Sequence, residues 1–329
     1  MIERPLLEEL VAEARLAPSV HNIQPTRWRC IGERILVLAD PSRRLPVADP
    51  SGHDVRLSHG AAVEGMALSL GRRGLRLIET ELHPAVAPAV DGLAPIATLR
   101  IAAGGEPDPL AAAAPRRSSW RGRFDRATGA ADAAMAEVAA AEHDLLVVAA
   151  DQVGRIAQLA DRANLHFLCD AAHRRELLSW MRLSPRHARY ATDGLNAEAL
   201  AMGRIEAFGA GLVLGPLFEP LHTLGLAGAL TGESTKTRSG AIALFHRPVG
   251  EDPLLSGRAF YRAWLGLTQR GFSACPMSVL VDWPEAREAL EALVPLPPSR
   301  RLVNVFRFGL APRARAGGHS RLPVDALIT

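Results

Sequence analysis

One stretch of this chain reads like a second copy of another. "GAAVEGMALSLGRRGL", starting at Gly60, and "GRAFYRAWLGLTQRGF", starting at Gly257, share a leading glycine, an apolar helical face and a closing Arg-Gly-apolar triplet. Gly60 and Gly74 match Gly257 and Gly271 at the same spacing, and Leu68 and Leu70 match Leu265 and Leu267. An amphipathic helix capped by glycine would produce part of this likeness. The order of the flanking elements repeats as well, so the pattern points to two large units rather than a short-period solenoid.

Around the first segment, 2–17 reads as a helix with Leu6, Leu7, Leu10 and Val11 on one face. The segment "RILVLAD" (34–40) reads as a strand, 57–74 as a helix, and 75–82 and 96–102 as strands. Around the second, 144–150 reads as a strand, 152–182 as helical, 239–248 as a strand, 256–271 as a helix and 301–309 as a strand. The glycine, proline and alanine of "GGEPDPLAAAAP" have a linker's composition. The expected organisation is a first half at 1–103, a linker at 104–115 and a second half at 116–329. A long stretch at 183–237, punctuated by glycine and proline, reads as a lid-like insertion in the second half.

Composition excludes several classes. Hydrophobic residues make up 48% of the 329, and the net charge of +3 gives no general pull toward nucleic acid. Lys236 is the only lysine, so the positive charge is carried almost wholly by arginine, whose planar fork suits phosphate and carboxylate. Cys30, Cys169 and Cys275 are too few and too scattered for a disulfide framework. "MIERPLLEEL" is not a signal peptide, and the apolar region near 212–230 is interrupted by Glu219, His222 and two prolines. These features suggest a reduced, cytoplasmic protein that engages neither membrane nor nucleic acid.

Two segments concentrate polar chemistry, one in each half. "LAPSVHNIQPTRWRC" (16–30) places a hydroxyl, an imidazole and two carboxamides at one bend. Carboxamides offer a donor and an acceptor together and can read the edge of a heterocycle, although asparagine and proline also serve turns for backbone reasons. "PRRSSWRGRF" (115–124) interleaves Arg116, Arg117, Arg121 and Arg123 with Ser118 and Ser119. Such a set can cradle a phosphate and a polyol, and could equally be a solvated basic end of the linker.

These two segments resemble the FMN-dependent nitroreductase superfamily, and their single occurrence resembles its tandem, single-chain (Acg-like) branch. The likeness rests on "APSVHNIQPTRW", "RRSSWRGRF", "DGLN" (193–196) and the C-terminal "HSRLP" (319–323). It implies an α+β fold, duplicated in tandem, with mainly antiparallel sheets flanked by helices and an internal pseudo-dimer. It further implies an FMN site between the halves. Ser19, His21, Asn22 and Gln24 would stand near the isoalloxazine. Arg117, Ser119 and Arg121 would hold phosphate and ribityl, with Arg321 and His319 as further phosphate partners. Ala274, Cys275 and Pro276 would border the flavin. Thr26 and Arg27 separate Pro25 from Trp28 where the family has the aromatic residue at once, His319 stands where lysine is common, and Arg116 competes with Arg117 for the leading place.

The activity implied is oxidoreduction, with NADPH or NADH as donor and a small electrophile such as a nitroaromatic or quinone as acceptor. The flavin would carry the chemistry, so no acid–base residue is assigned as catalytic. The alternative is a flavin-sequestering protein whose 183–237 lid prevents turnover. The protein would be either a monomer with an internal pseudo-dimer or a homodimer. "GAGLVLG" (209–215) has the wrong spacing for a dinucleotide fingerprint, and in "TGESTKT" Lys236 does not follow the glycine that a phosphate loop needs. His166, Cys169, Asp170 and His173 could share a helix face, but no metal site is assigned to them.

Overall fold

The computed structural model describes residues 2–84, 89–125, 135–138, 141–312 and 319–329. Pro5 starts helix α1 (Arg4–Ala14), whose Leu7, Leu10, Val11 and Ala14 are buried. Strands β1 (Thr26–Ile31) and β2 (Arg34–Ala39) follow as a tight hairpin. Next come helix α2 (His53–Gly71) and strands β3 (Leu75–Leu82) and β4 (Ala94–Ala103). These strands form one antiparallel sheet, ordered β1-β2-β4-β3.

The second part opens with β5 (Leu145–Val147), helices α3 (Val153–Cys169) and α4 (Ala171–Trp180), and a two-residue parallel pair, β6 (Met181–Arg182) with β7 (Leu195–Asn196). Four helices then build the insertion: α5 (Arg204–Leu214), α6 (Phe218–Thr223), α7 (Ala227–Thr231) and α8 (Ser234–Thr237). The chain continues through β8 (Ala241–Pro248), α9 (Pro253–Gln269), β9 (Ser273–Pro276), α10 (Val279–Asp282), α11 (Pro284–Leu293) and β10 (Arg300–Gly309). The second sheet is antiparallel and ordered β5-β8-β10-β9. Both sheets therefore place their strands in the order first, second, fourth, third, with the long helix entering before the third strand.

Helix α2 is buried on nearly every face, because it is enclosed by its own sheet on one side and by α9 on the other. Ion pairs join the two helices and the segments beside them. Glu64, buried on α2, accepts from Arg258 Nε at 2.9 Å and Arg262 Nη1 at 2.8 Å, and Arg56 grips Asp252 with two bonds of 2.7 Å. The linker region holds a 3-10 helix, Pro109–Arg116, which Asp108 caps by accepting from Leu110 N.

The C-terminal segment departs from the chain-order division at residue 116. It crosses back to the first sheet: Ile328 bridges to Trp28, Thr329 N donates to Trp28 O at 2.9 Å, and Leu322 and Leu327 enter the first core. Trp28, on β1 and 1% exposed, is a residue of the first core.

Candidate functional site

Helix α1 ends in a loop with strained backbone. His21, Asn22 and Gln24 have φ of 44°, 54° and 50°, in the left-handed region that non-glycine residues rarely adopt. Ser19 Oγ accepts from Gln24 N at 3.0 Å, and Val20 N donates to Ser58 Oγ at 2.9 Å, so both sides of the turn are pinned. Strain of this kind persists only where the surroundings over-determine it.

The turn aims its carboxamides at two distant parts of the chain. Asn22 Nδ2 donates to Gly194 O at 3.2 Å and Ser320 O at 3.1 Å, while its Oδ1 accepts from Arg321 Nη1 at 3.1 Å. Gln24 Nε2 donates to Thr192 O at 2.8 Å and Oε1 accepts from Leu322 N at 2.8 Å. Both ends of Gln24 thus bond the protein's own backbone, in keeping with the turn role left open for it in the sequence. The insertion is held further by Asp193, fully buried and paired with Arg182 at 2.9 Å and Arg43 at 3.2 Å. Gly194 then takes φ 72°, in a place where a Cβ would lie 2.3 Å from Trp180 O.

These contacts enclose a cavity of about 360 Å³, within the size range of small-molecule sites. Pro18, Ser19 and Asn22 line it from the first half, Arg117, Ser118, Ser119, Trp120 and Arg121 from the second. Gly194, Leu195, Asn196, Glu198, Ala199 and Met202 line it from the insertion, and His319, Ser320 and Arg321 from the C-terminal segment. Of the residues singled out in the sequence, the cavity gathers Ser19, Asn22, Arg117, Ser119, Arg121, His319 and Arg321. Arg116 is exposed and not among them, which separates it from Arg117.

His21, Gln24, Ala274, Cys275 and Pro276 do not line this cavity. The last three lie on strand β9, paired with Phe308, Arg307 and Phe306. Ala274 supports the site from behind, since its O accepts from Trp120 N at 3.1 Å and so fixes the arginine segment against the sheet edge. His21 lies close to Arg121, and its Nδ1 is inaccessible and unpartnered; burial and the Arg121 charge lower its pKa to about 4. The insertion residues were missed except for "DGLN". The signal for the rest was weak, because small apolar residues on an irregular segment carry no periodicity.

The buried charges at the cavity are positive, while Glu198, which also lines it, is an exposed residue. Arg117, 3% exposed, lies over the Trp264 ring at 4.6 Å and donates Nη2 to Leu16 O at 3.2 Å, while its buried Nε has no partner. Arg321 donates to the carbonyls of Arg15, Leu16 and Ala17, the residues that follow α1. Carbonyls at a helix C-terminal end are suitable acceptors for cations. Among the described residues neither guanidinium forms an ion pair with a carboxylate. Burial lowers both pKa values, that of Arg321 to about 9, with the Arg117 charge adding to the effect. Burial, then the charges of Arg321 and Arg117, lower His319 to about 4, so its ring is neutral near pH 7; its Nε2 lies 3.0 Å from Pro115 O. Buried cations without counter-charge favour an anionic ligand.

No protein-family model matches the chain. Two Mycobacterium tuberculosis proteins, from the Oshkosh and H37Rv strains and both named "Putative NAD(P)H nitroreductase", are 26% identical to it over 294 residues, spanning 84% of this chain and 77% of theirs. The chain is similar to these two proteins over most of its length. An FMN- and NADPH-dependent nitroreductase structure from Sphigopyxis sp. strain HMH aligns with TM-score 0.39 and 16% identity, covering 68% of this chain and 98% of that one.

Among the described residues no three His, Cys, Asp or Glu side chains are grouped to hold a metal ion. His166 and His173 instead stack on Trp283 and Phe167. No described helix is long and apolar enough to cross a membrane.

Proposed function

We propose that this chain is an FMN-dependent oxidoreductase of the tandem, single-chain kind, passing electrons from NADPH or NADH to a small electrophile such as a nitroaromatic or quinone. The observation that carries it is the pairing of Arg117 and Arg321, desolvated and without carboxylate partners, in a cavity walled by both halves. A phosphate supplies the missing negative charge, and Arg117 Nε offers it an unused donor. Ser118, Ser119 and Arg121 extend that grip toward a polyol, and Ser19 and Asn22 border the remaining volume. Bound FMN would supply the two-electron chemistry, and the residues here bind and orient it. His21, Gln24 and 274–276 act from behind, holding the loop and the arginine segment in place. The relatives' name favours turnover over sequestration. We assign the chain to the cytoplasm, where its three free cysteines stay reduced.

The test is the visible spectrum of the purified protein before and after FMN, followed by anaerobic mixing with NADPH and with NADH. Saturable FMN binding and loss of flavin absorbance are expected. Absence of binding overturns the site, and binding without bleaching by either donor overturns the activity.

A further inference from the structure

The large apolar side chains that the structure leaves exposed are concentrated in the insertion. Ile205, Phe208 and Leu212 stand 88%, 69% and 37% exposed on α5, and Leu217, Leu224 and Leu230 follow on and between the next two helices. Spacings of three and four put the first three on one stripe of α5. The opposite stripe carries Ala207, which is buried, so α5 already has an inner face and presents a second apolar face to solvent. Helices α5, α6 and α7 pack in succession, which makes their outer faces neighbours.

We infer that this face is a two-fold interface between two copies of the chain. The six side chains, each more than a third exposed, together offer on the order of several hundred Å² of apolar surface, a large part of the ~800 Å² that each partner contributes to a stable interface. Charge decides between a second copy and a lipid surface. From 204 to 231 the chain has Arg204 against Glu206 and Glu219, so the face is near neutral and slightly acidic. A surface helix that lies on anionic lipid has a polar face rich in lysine and arginine, which is missing here. A nearly neutral patch can face its own copy without like-charge repulsion, as an isologous contact requires. Helix α5 begins two residues after Met202, the last insertion residue lining the cavity, so the interface clamps the outer side of that wall.

The test is sedimentation equilibrium of the full chain, at concentrations from low micromolar to 100 µM. Wild type is expected at twice its 35.2 kDa. Phe208→Glu and Ile205→Glu, each checked for native circular dichroism, are expected at the monomer mass. Val249→Glu, which changes an exposed apolar residue elsewhere, is expected to remain dimeric. A monomeric wild type, or a dimer that survives both insertion substitutions, overturns the inference. Flotation with phosphatidylcholine or phosphatidylserine vesicles that Phe208→Glu abolishes overturns it in favour of lipid. None of these readouts depends on flavin binding.

Discussion

Gly60 on α2 and Gly257 on α9 are each placed so that a Cβ would strike the backbone of the opposite helix. At Gly60 that carbon would lie 1.9 Å from Leu254 O, and at Gly257 it would lie 2.0 Å from Leu57 O. Leu57 and Leu254 each stand three residues before the glycine of their own helix, so the contact is reciprocal. The chain thus has a local two-fold relation at its centre, and the glycines let the two helices meet backbone to backbone. Gly60→Ala and Gly257→Ala are each expected to lower stability by about 1–3 kcal/mol in urea unfolding. Because either one forces the same pair of helices apart, the double variant should cost less than the two single costs combined. Gly154→Ala, at a position with no atom within 4 Å, should leave stability unchanged or raise it.

Arg117 is expected to matter more to the ligand than to the fold. In the free protein its guanidinium is buried with one hydrogen bond and an orphaned Nε. Arg117→Met keeps the packing over Trp264 and removes a desolvated charge, so apo stability should change by less than about 1 kcal/mol. FMN affinity should fall at least about tenfold, from loss of a charge-assisted bond to the phosphate. Fluorescence titration with riboflavin, which has no phosphate, should show a much smaller change. An equal loss for both flavins would mean that Arg117 does not serve the phosphate.

The repeat was legible in the sequence because the α2 and α9 contact demands glycine at fixed places, and the strands around it alternate or run apolar. Strand β1 was not legible. Its first residues, Thr26 to Trp28, sit within a motif whose polar residues point to a ligand, and the strand signal begins only where that motif ends. Strand β9 has four residues, too few to show a period, and its pairing comes from β10. At the site, the residue types of the arginine segment left an anion grip and a solvated linker end equally open, and the C-terminal "HSRLP" stood out only by its family resemblance. The role of Gln24 was open as well, because a carboxamide bonds a flavin or a backbone amide equally well, and only the return of Leu322 decides between them. The insertion wall was unreadable for a similar reason: Ala199 and Met202 reach the cavity through tertiary contacts such as the docking of Asp193 on its arginines and the bond from Arg121 to Ala199 O.

That docking gives the next prediction. Asp193 is fully buried between Arg43 of the first half and Arg182 at the base of the insertion. Asp193→Asn leaves Arg43, Arg182 and the exposed Arg189 facing a neutral group, and breaking one partner of a buried pair typically costs about 3–5 kcal/mol. The cost should fall locally, on the undocking of 189–202, rather than on the whole fold. Limited trypsin digestion is expected to cut faster after the exposed Arg186 and Arg189, while hydrogen exchange in α2 and α9 stays at the wild-type rate. Uniform loss of protection would show instead that Asp193 supports the global core.

A carboxyl pair between the halves sets a pH dependence. Asp54 opens α2 and Asp282 closes α10. Desolvation raises Asp54, with the charges of Asp282 and Asp49 adding. Asp282 is a solvent-exposed residue, but the crowding around its carboxyl and the Asp49 charge raise it too, while a hydrogen bond from Ser278 pulls it the other way. Asp282 reaches about 7 from an ordinary 3.8. A carboxyl whose folded pKa is raised holds its proton more tightly in the folded state than in the unfolded one. Its stabilisation is therefore complete below pH 3.8 and is lost as pH rises through about 7. Asp282→Asn removes that titration and relieves the like charge on Asp54. The variant should match wild type only below about pH 4 and exceed it at pH 8, with the difference in urea-unfolding free energy growing between the ordinary 3.8 and about 7 and levelling off above. The buried histidines His21, His59 and His319, lowered to about 4, 3 and 4, titrate on the acid side and largely cancel in this difference. A difference that is flat from pH 5 to 8 would mean that the pair is not proton-linked to folding.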